Sequence, residues 1–376
     1  MSYFLTEEQE LIRKIAREFT QNEVEPRAAE IDAKDEFPAD LVKRCGELGF
    51  LGVHIPEEYG GTNAGITTAC VIIEEVSKAS PTLGGLLMIY TSWPAGIAFG
   101  GSKEQKEKYL PGLASGEHLG TLAQTEPAGA MNIGAHETKL TRNGHGYILN
   151  GLKIFNTHGD ATVWLVGART SRNGDNGYGY VLVDKDTPGF EIGKNEKKLG
   201  WRGSGTGTVI FKDVHVPEEN VLGDLINGAA SFGMGALYGN LTHSAASLGA
   251  AEGLFDKTLT YVKQRQLYGV PMTMLQPVSY WLADAYVKIE ACRALLYDTT
   301  RLFEEGKVRA DLASACKAYI CDTAFEITSR LMQLWGGHAI IDDTGVNRYM
   351  RDARTALTAE GSSEMHLANI SQMILA

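Results

Sequence analysis

Cysteine is scarce and unpaired in this 376-residue chain: Cys45, Cys70, Cys292, Cys316 and Cys321 are odd in number, and no two form a Cys-x-x-Cys. That pattern argues against a structural zinc and fits reduced thiols in a cytoplasm-like compartment. Basic excess is missing too. At a net charge of −11 the chain has no surplus of cations to neutralise phosphates, which disfavours tight nucleic-acid binding. The start, Ser2-Tyr3-Phe4-Leu5-Thr6-Glu7-Glu8, lacks the basic-then-apolar order of a signal peptide, and no apolar run is expected to reach membrane-spanning length. The expectation is a cytoplasmic protein with no membrane or nucleic-acid partner and no metal. What is present is apolar bulk. With 44% hydrophobic residues in a chain longer than one core usually serves, two or three domains are predicted.

Periodicity divides the chain into 1–118, 119–222 and 223–376. In the first zone Thr6 with Gln9 predicts a capping box, and Leu11, Ile12, Ile15 and Phe19 follow at helical spacing. Further helices are predicted from Ile66 to Ser80 and Leu83 to Phe99, and Ser102 with Gln105 caps another. The middle zone changes period. Tyr147-Ile148-Leu149, Val163-Trp164-Leu165-Val166, Tyr180-Val181-Leu182-Val183 and Thr208-Val209-Ile210-Phe211, separated by Asn-Gly and Asp-Thr-Pro-Gly turns, read as antiparallel strands. Helical spacing returns in long pieces: Ala229 to Gln264, Pro277 to Glu304, Asp311 to Leu334 and Gly345 to Ala356. The fold class is therefore α+β, with helices, then strands, then a helical bundle.

Near the C-terminus, Glu360-Gly361-Ser362-Ser363-Glu364 places a carboxylate before a glycine and two hydroxyls. Taken alone, the run resembles a helix end followed by a cap. A carboxylate can also remove a proton from a weakly acidic C–H, provided a dry site raises its pKa toward working pH. Gly203-Ser204-Gly205-Thr206-Gly207 superficially suggests a phosphate loop, but no Lys-Ser/Thr follows it, and it reads as a turn.

Motifs spread along the whole chain decide between these readings. Pro56-Glu57-Glu58-Tyr59-Gly60-Gly61, Thr125-Glu126-Pro127, Lys198-Leu199-Gly200-Trp201-Arg202-Gly203-Ser204, Arg265-Gln266-Leu267-Tyr268-Gly269 and Gln333-Leu334-Trp335-Gly336-Gly337 occur in one order with Glu360-Gly361. In this the chain resembles the acyl-CoA dehydrogenase family from Thr6 to its last helix. The resemblance implies an N-terminal helical domain, a middle β-barrel or sandwich domain and a C-terminal four-helix bundle. It also implies FAD, an acyl-CoA substrate, an electron-transferring flavoprotein as partner, and a homo-oligomer (a tetramer, or a dimer of dimers).

Residue roles follow from the same resemblance. Glu360 would take the α-proton of the thioester while the β-hydrogen leaves as hydride to flavin N5. Leu122, Gln124, Thr125, Ala130, Met131, Phe155, Thr157, Ser362 and Glu364 would contact FAD. Arg265, Tyr268, Gln276, Gln333, Gly336 and Gly337 would hold the FAD of a neighbouring subunit, a guanidinium suiting pyrophosphate. Tyr90, Thr91, Met131, Tyr238, Asn240, Ala359 and Gly361 would line the substrate site.

Departures from the family pattern bear on the substrate. Ala130-Met131-Asn132 stands where relatives read Gly-Ser-Asp, and Leu237-Tyr238-Gly239-Asn240 replaces an Asp-x-x-Arg. Gly239 also occupies the alternative position of the catalytic base in some subfamilies, which leaves Glu360 as the carboxylate. Ala359 replaces the usual aromatic neighbour of the base, so the acyl pocket is expected to be wide, suiting a cyclic, branched or aromatic group. Three other readings stay open: an enoyl-CoA reductase running the same chemistry in reverse, a flavoprotein of this fold acting on a non-CoA substrate such as a nitroalkane, and a DNA-associated relative.

Overall fold

The computed structural model describes residues 5–130, 132–172 and 175–375. Its first block is helical: α1 (Glu7–Phe19), α2 (Ala28–Lys34), α3 (Ala39–Glu47), α4 (Gly65–Ser77), α5 (Pro81–Gly100) and α6 (Lys103–Ser115). Both expected capping boxes form, Thr6 with Gln9 opening α1 and Ser102 with Gln105 opening α6. In each, two orphan N–H groups find side-chain acceptors, so these helix starts are fixed locally. Pro81 opens α5 behind Ser80, whose hydroxyl accepts from the Leu83 N–H.

Among the described residues eight strands follow: β1 (Gly120–Ala123), β2 (Lys139–Asn143), β3 (Gly146–Thr157), β4 (Val163–Arg172), β5 (Asp175–Asp184), β6 (Phe190–Asn195), β7 (Thr206–Pro217) and β8 (Val221–Leu222). They form one sheet in the order β6-β7-β3-β2-β4-β5-β8, with β1 beside β4. The expectation of purely antiparallel strands is corrected here. β1 and β2 both pair parallel with β4, so the sheet is mixed. Trp164 on β4 lies 5.2 Å from Phe190 on β6, whose ring lies 5.3 Å from Phe211 on β7. Rings from distant strands meet because the sheet curls over its own core.

The last block holds α7 (Gly228–Gln264), a short hairpin of β9 (Gln266–Leu267) and β10 (Val270–Pro271), then α8 (Gln276–Glu304), α9 (Ala310–Trp335), α10 (Val346–Ala356) and α11 (Ser363–Leu375). One hydrophobic core runs from Ala16 to Ala356 and includes side chains of both helical blocks. α7 is its axis, packed against α4 and α5 on one side and α8 and α9 on the other. By length and composition α5 could cross a membrane, contrary to the expectation of no such run. Its apolar surface is used inside the protein, where 83% of the stretch is buried.

Candidate active site

Where the sheet, α5, α7 and the α10–α11 connection meet, a cavity of about 1590 Å³ opens. Glu360 lies on its wall with φ of +54°, followed by Gly361 at +91°. Glycine accepts that left-handed geometry freely, whereas a glutamate does so at some cost. Two features of the segment produce this turn. α10 stops at Ala356, and the Ser362 hydroxyl accepts from the Met365 N–H at 3.3 Å to start α11. The helix cap and the carboxylate on the cavity wall are thus the same stretch of chain. Burial pushes the Glu360 carboxyl up from the ordinary carboxylate range, and the Lys317 ammonium opposes that rise without cancelling it. Such a group holds a proton more readily than a solvated glutamate, as a base for a weak carbon acid must.

Facing Glu360 across the cavity is the β block. Leu122, Gln124, Thr125, Ala130, Phe155 and Thr157 all line the space, as do Ala359, Gly361, Ser362 and Asn240. Phe155 is a large apolar ring that stays 66% exposed, on backbone with φ of +56°. The Gln124 side-chain oxygen is buried with no hydrogen-bond partner among the described residues, and Thr157 meets Thr206 hydroxyl to hydroxyl at 3.0 Å. Beneath this wall, Lys153 donates to Glu126 at 2.8 Å and to the Gln124 carbonyl at 3.0 Å, while the Glu126 carboxylate also accepts the Thr138 N–H. Lys153 and Glu126 are buried. Burial pulls the Lys153 ammonium down to about 8, against the pull of Glu126. The pair ties the 124–130 loop to β3 from behind.

Several expected site residues lie elsewhere. Tyr90 and Thr91 do not reach the cavity: the Tyr90 hydroxyl donates to the His158 carbonyl at 3.1 Å, and Thr91 bonds back to Leu87. Helical phase explains the correction, since the face of α5 turned to the cavity carries Met88, Ile89, Ser92 and Trp93. Tyr238 points the other way from Asn240, into the core, with its ring 5.0 Å from that of His54. Glu364 is exposed on the first turn of α11, outside the cavity lining. Met131 lies outside the described residues.

A second group of expected residues sits apart. Arg265, Tyr268, Gln276, Gln333, Gly336 and Gly337 are all exposed and none lines the cavity. The Tyr261 ring stacks on Trp335 at 4.0 Å, which brings the end of α7 and the end of α9 together. A Cβ added at Gly336 or Gly337 would meet nothing within 4 Å, so the glycine pair fronts open space.

Ser92 and Phe232, on the cavity wall, were missed from sequence, and Lys198 and Trp201, also on that wall, were read only as part of a motif without a site role. Gly239 faces Glu360: a Cβ there would stand 3.4 Å from its Oε2 and 3.5 Å from the Ser92 Cβ. Gly239 and Glu360, the two positions at which the sequence resemblance would allow a base, therefore converge on one spot.

Sequence profiles of the acyl-CoA dehydrogenase N-terminal, middle and C-terminal domains match residues 6–117, 121–214 and 228–375. The chain belongs to the acyl-CoA dehydrogenase family. It is 37% identical to the short-chain-specific acyl-CoA dehydrogenase of Clostridium acetobutylicum, with 100% of both chains covered. It is also 37% identical to acryloyl-CoA reductase (NADH) of Anaerotignum propionicum, over 100% of this chain and 96% of the other. The butyryl-CoA dehydrogenase structure from Megasphaera elsdenii superposes with a TM-score of 0.96 at 32% identity, covering 100% of both chains. As a member of the family the chain is an FAD-dependent oxidoreductase. Its residues fit that cofactor: an exposed aromatic ring, an orphaned amide oxygen and the Thr125 and Thr157 hydroxyls share one wall opposite the carboxylate.

Proposed function

We propose that this acyl-CoA dehydrogenase uses Glu360 to remove the α-proton of an acyl thioester bound between Glu360 and the Phe155–Thr157 wall. The observation that carries the reading is a desolvated carboxylate held in a left-handed turn on the cavity wall. FAD, when bound, supplies the hydride acceptor. Thr125 and Thr157 would orient it by hydrogen bonds, and Phe155 would shield it from water. Closing the site away from water keeps Glu360 basic and strengthens whatever donors polarise the thioester carbonyl. Ser362 would add a cofactor contact from the turn that carries the base.

The acyl group we propose is cyclic, branched or aromatic. Ala359 lines the cavity beside Glu360, and Gly239 leaves room at its Oε2. Leu237 and Asn240 line the same space without a charge pair, so recognition there is by shape and by the Asn240 amide. Reduction of an enoyl thioester, with Glu360 returning the proton, is the second reading. It is favoured by the 37% identity to an acryloyl-CoA reductase. A second copy of the chain would complete the cofactor site, because Arg265, Gln276, Gln333 and the Gly336–Gly337 pair are exposed and absent from the cavity lining. The electron partner proposed is an electron-transferring flavoprotein. An anaerobic panel of straight, branched, cyclic and aromatic acyl-CoA esters added to FAD-loaded protein tests the reading. Bleaching of the flavin by bulky esters is expected, and a flavin that no thioester bleaches would overturn it.

A further inference from the structure

Behind the proposed base, three helices, α7, α9 and α11, close on backbone carbonyls between Ala356 and Gly361. Lys317, on α9, is fully buried, and its ammonium donates to the Leu357 carbonyl at 3.1 Å and to the Gly361 carbonyl. His366, on α11, is 2% exposed, and its Nε2 meets the Glu360 carbonyl at 3.0 Å. A nitrogen facing a carbonyl carries the proton, so His366 donates. Its Nδ1 is buried with no hydrogen-bond partner among the described residues. The Ala356 carbonyl, which ends α10, is taken by His243 of α7 at 2.9 Å. Consecutive carbonyls at 360 and 361 are thus held by side chains from two helices, across residues whose φ angles are +54° and +91°.

No regular structure fixes this turn. A left-handed glutamate persists only where its surroundings over-determine it, and the carbonyl donors are the part of the surroundings that reads backbone orientation. With the carbonyls turned toward Lys317 and His366, the Glu360 side chain is directed to the cavity. We propose that Lys317 and His366 are positioning residues that lock the Glu360–Gly361 turn and so hold the base in its working orientation. This rests on the reading of Glu360 as the base. Lys317 has a second effect through space, since its charge stands against the rise that burial imposes on Glu360. The other titratable or charged groups around Lys317 are Cys321 and Asp322 on α9, Glu364 and His366 on α11, and His243 on α7, while Tyr180 on β5 faces Glu360 itself. Burial holds His243 and His366 down from the ordinary imidazole range, and Lys317 is the cation whose charge acts on Glu360.

The test uses the FAD-loaded full chain with Lys317→Met, His366→Leu and His366→Gln. A displaced base typically costs up to about 100-fold in rate. Lys317→Met is expected to keep its flavin, to slow flavin bleaching by roughly 10- to 100-fold with little change in KM, and to shift the acid limb of its pH profile upward. His366→Leu is expected to slow bleaching without that limb shift, and His366→Gln, which keeps a donor for the Glu360 carbonyl, to restore most of the rate. A merely structural role would move none of the limb, the kcat-to-KM split or the glutamine rescue. Crystal structures of the FAD-loaded variants give a readout without turnover. The 360–361 turn is expected to leave its left-handed form in Lys317→Met. An unchanged turn, or bleaching at the wild-type rate with an unshifted limb, overturns the proposal. Failure of every thioester to bleach the wild type would instead sink the reading of Glu360 as base.

Discussion

At the scale of single residues, the account turns on one carboxylate and its neighbours. Glu360→Gln is expected to leave FAD bound and to abolish bleaching, a loss of well over 100-fold read by stopped-flow absorbance, since the amide cannot take a proton. Ala359→Tyr is expected to weaken turnover of aromatic or branched esters by about 10-fold more than that of short linear ones, because it refills the space beside the base. Comparable losses on both classes would remove the wide-pocket argument. The place of Glu360 at the cavity was legible in the sequence because its glycine, its hydroxyls and the distant motifs agreed. Lys317 was not, although a clue existed: it stands within the apolar run of α9 beside Cys316 and Ile320, both buried. A lysine on a buried helix face needs a carbonyl or carboxylate partner, but the partner's identity lies 40 residues away at Leu357. Tyr90 and Thr91 were misplaced because an apolar helix gives no polar face from which to read its rotation.

Elements decide how the two walls of the site are held. The 124–130 loop has little regular structure of its own, and the buried Lys153–Glu126 pair anchors it to β3. Breaking such a pair usually costs roughly 3–5 kcal/mol because the surviving charge stays buried. Lys153→Met is therefore expected to lower the melting temperature by several degrees and to release FAD during gel filtration. Full flavin retention would show that the loop is held by other means. Helix starts were readable from capping boxes, which are local, and the strands from their alternation. The parallel pairing of β1 and β2 with β4 was not. Pairing direction depends on where a connection carries the chain, and alternation is the same in both cases.

The molecule as a whole is organised around α7, whose two sides join the helical blocks into one core. Buried in that core, Glu74 accepts from Tyr297 at 2.5 Å and from Arg293 at 3.2 Å. Its carboxyl is nevertheless pushed up to about 7, since burial, with repulsion from Glu252, outweighs the attraction of Arg293. A carboxyl whose pKa rises on folding binds protons more tightly when folded, so its contribution is greatest below the ordinary carboxylate range and is lost as pH climbs to about 7. The melting-temperature advantage of wild type over Glu74→Gln should therefore shrink between pH 5 and pH 8 in calorimetry. A constant difference would contradict the assignment. The order of helices, strands and helices was legible from periodicity alone, whereas the sharing of one core between the outer blocks was not, because it depends on contacts between residues more than 200 positions apart, such as Tyr297 with Glu74.

The central claim is that a thioester α-proton goes to Glu360 while flavin is reduced. Anaerobic mixing of the FAD-loaded wild type and Glu360→Gln with the same bulky acyl-CoA ester, followed at the flavin absorbance band, tests it most directly. The account predicts rapid bleaching of the wild type and none in the variant. Bleaching of Glu360→Gln at a rate close to wild type would contradict it.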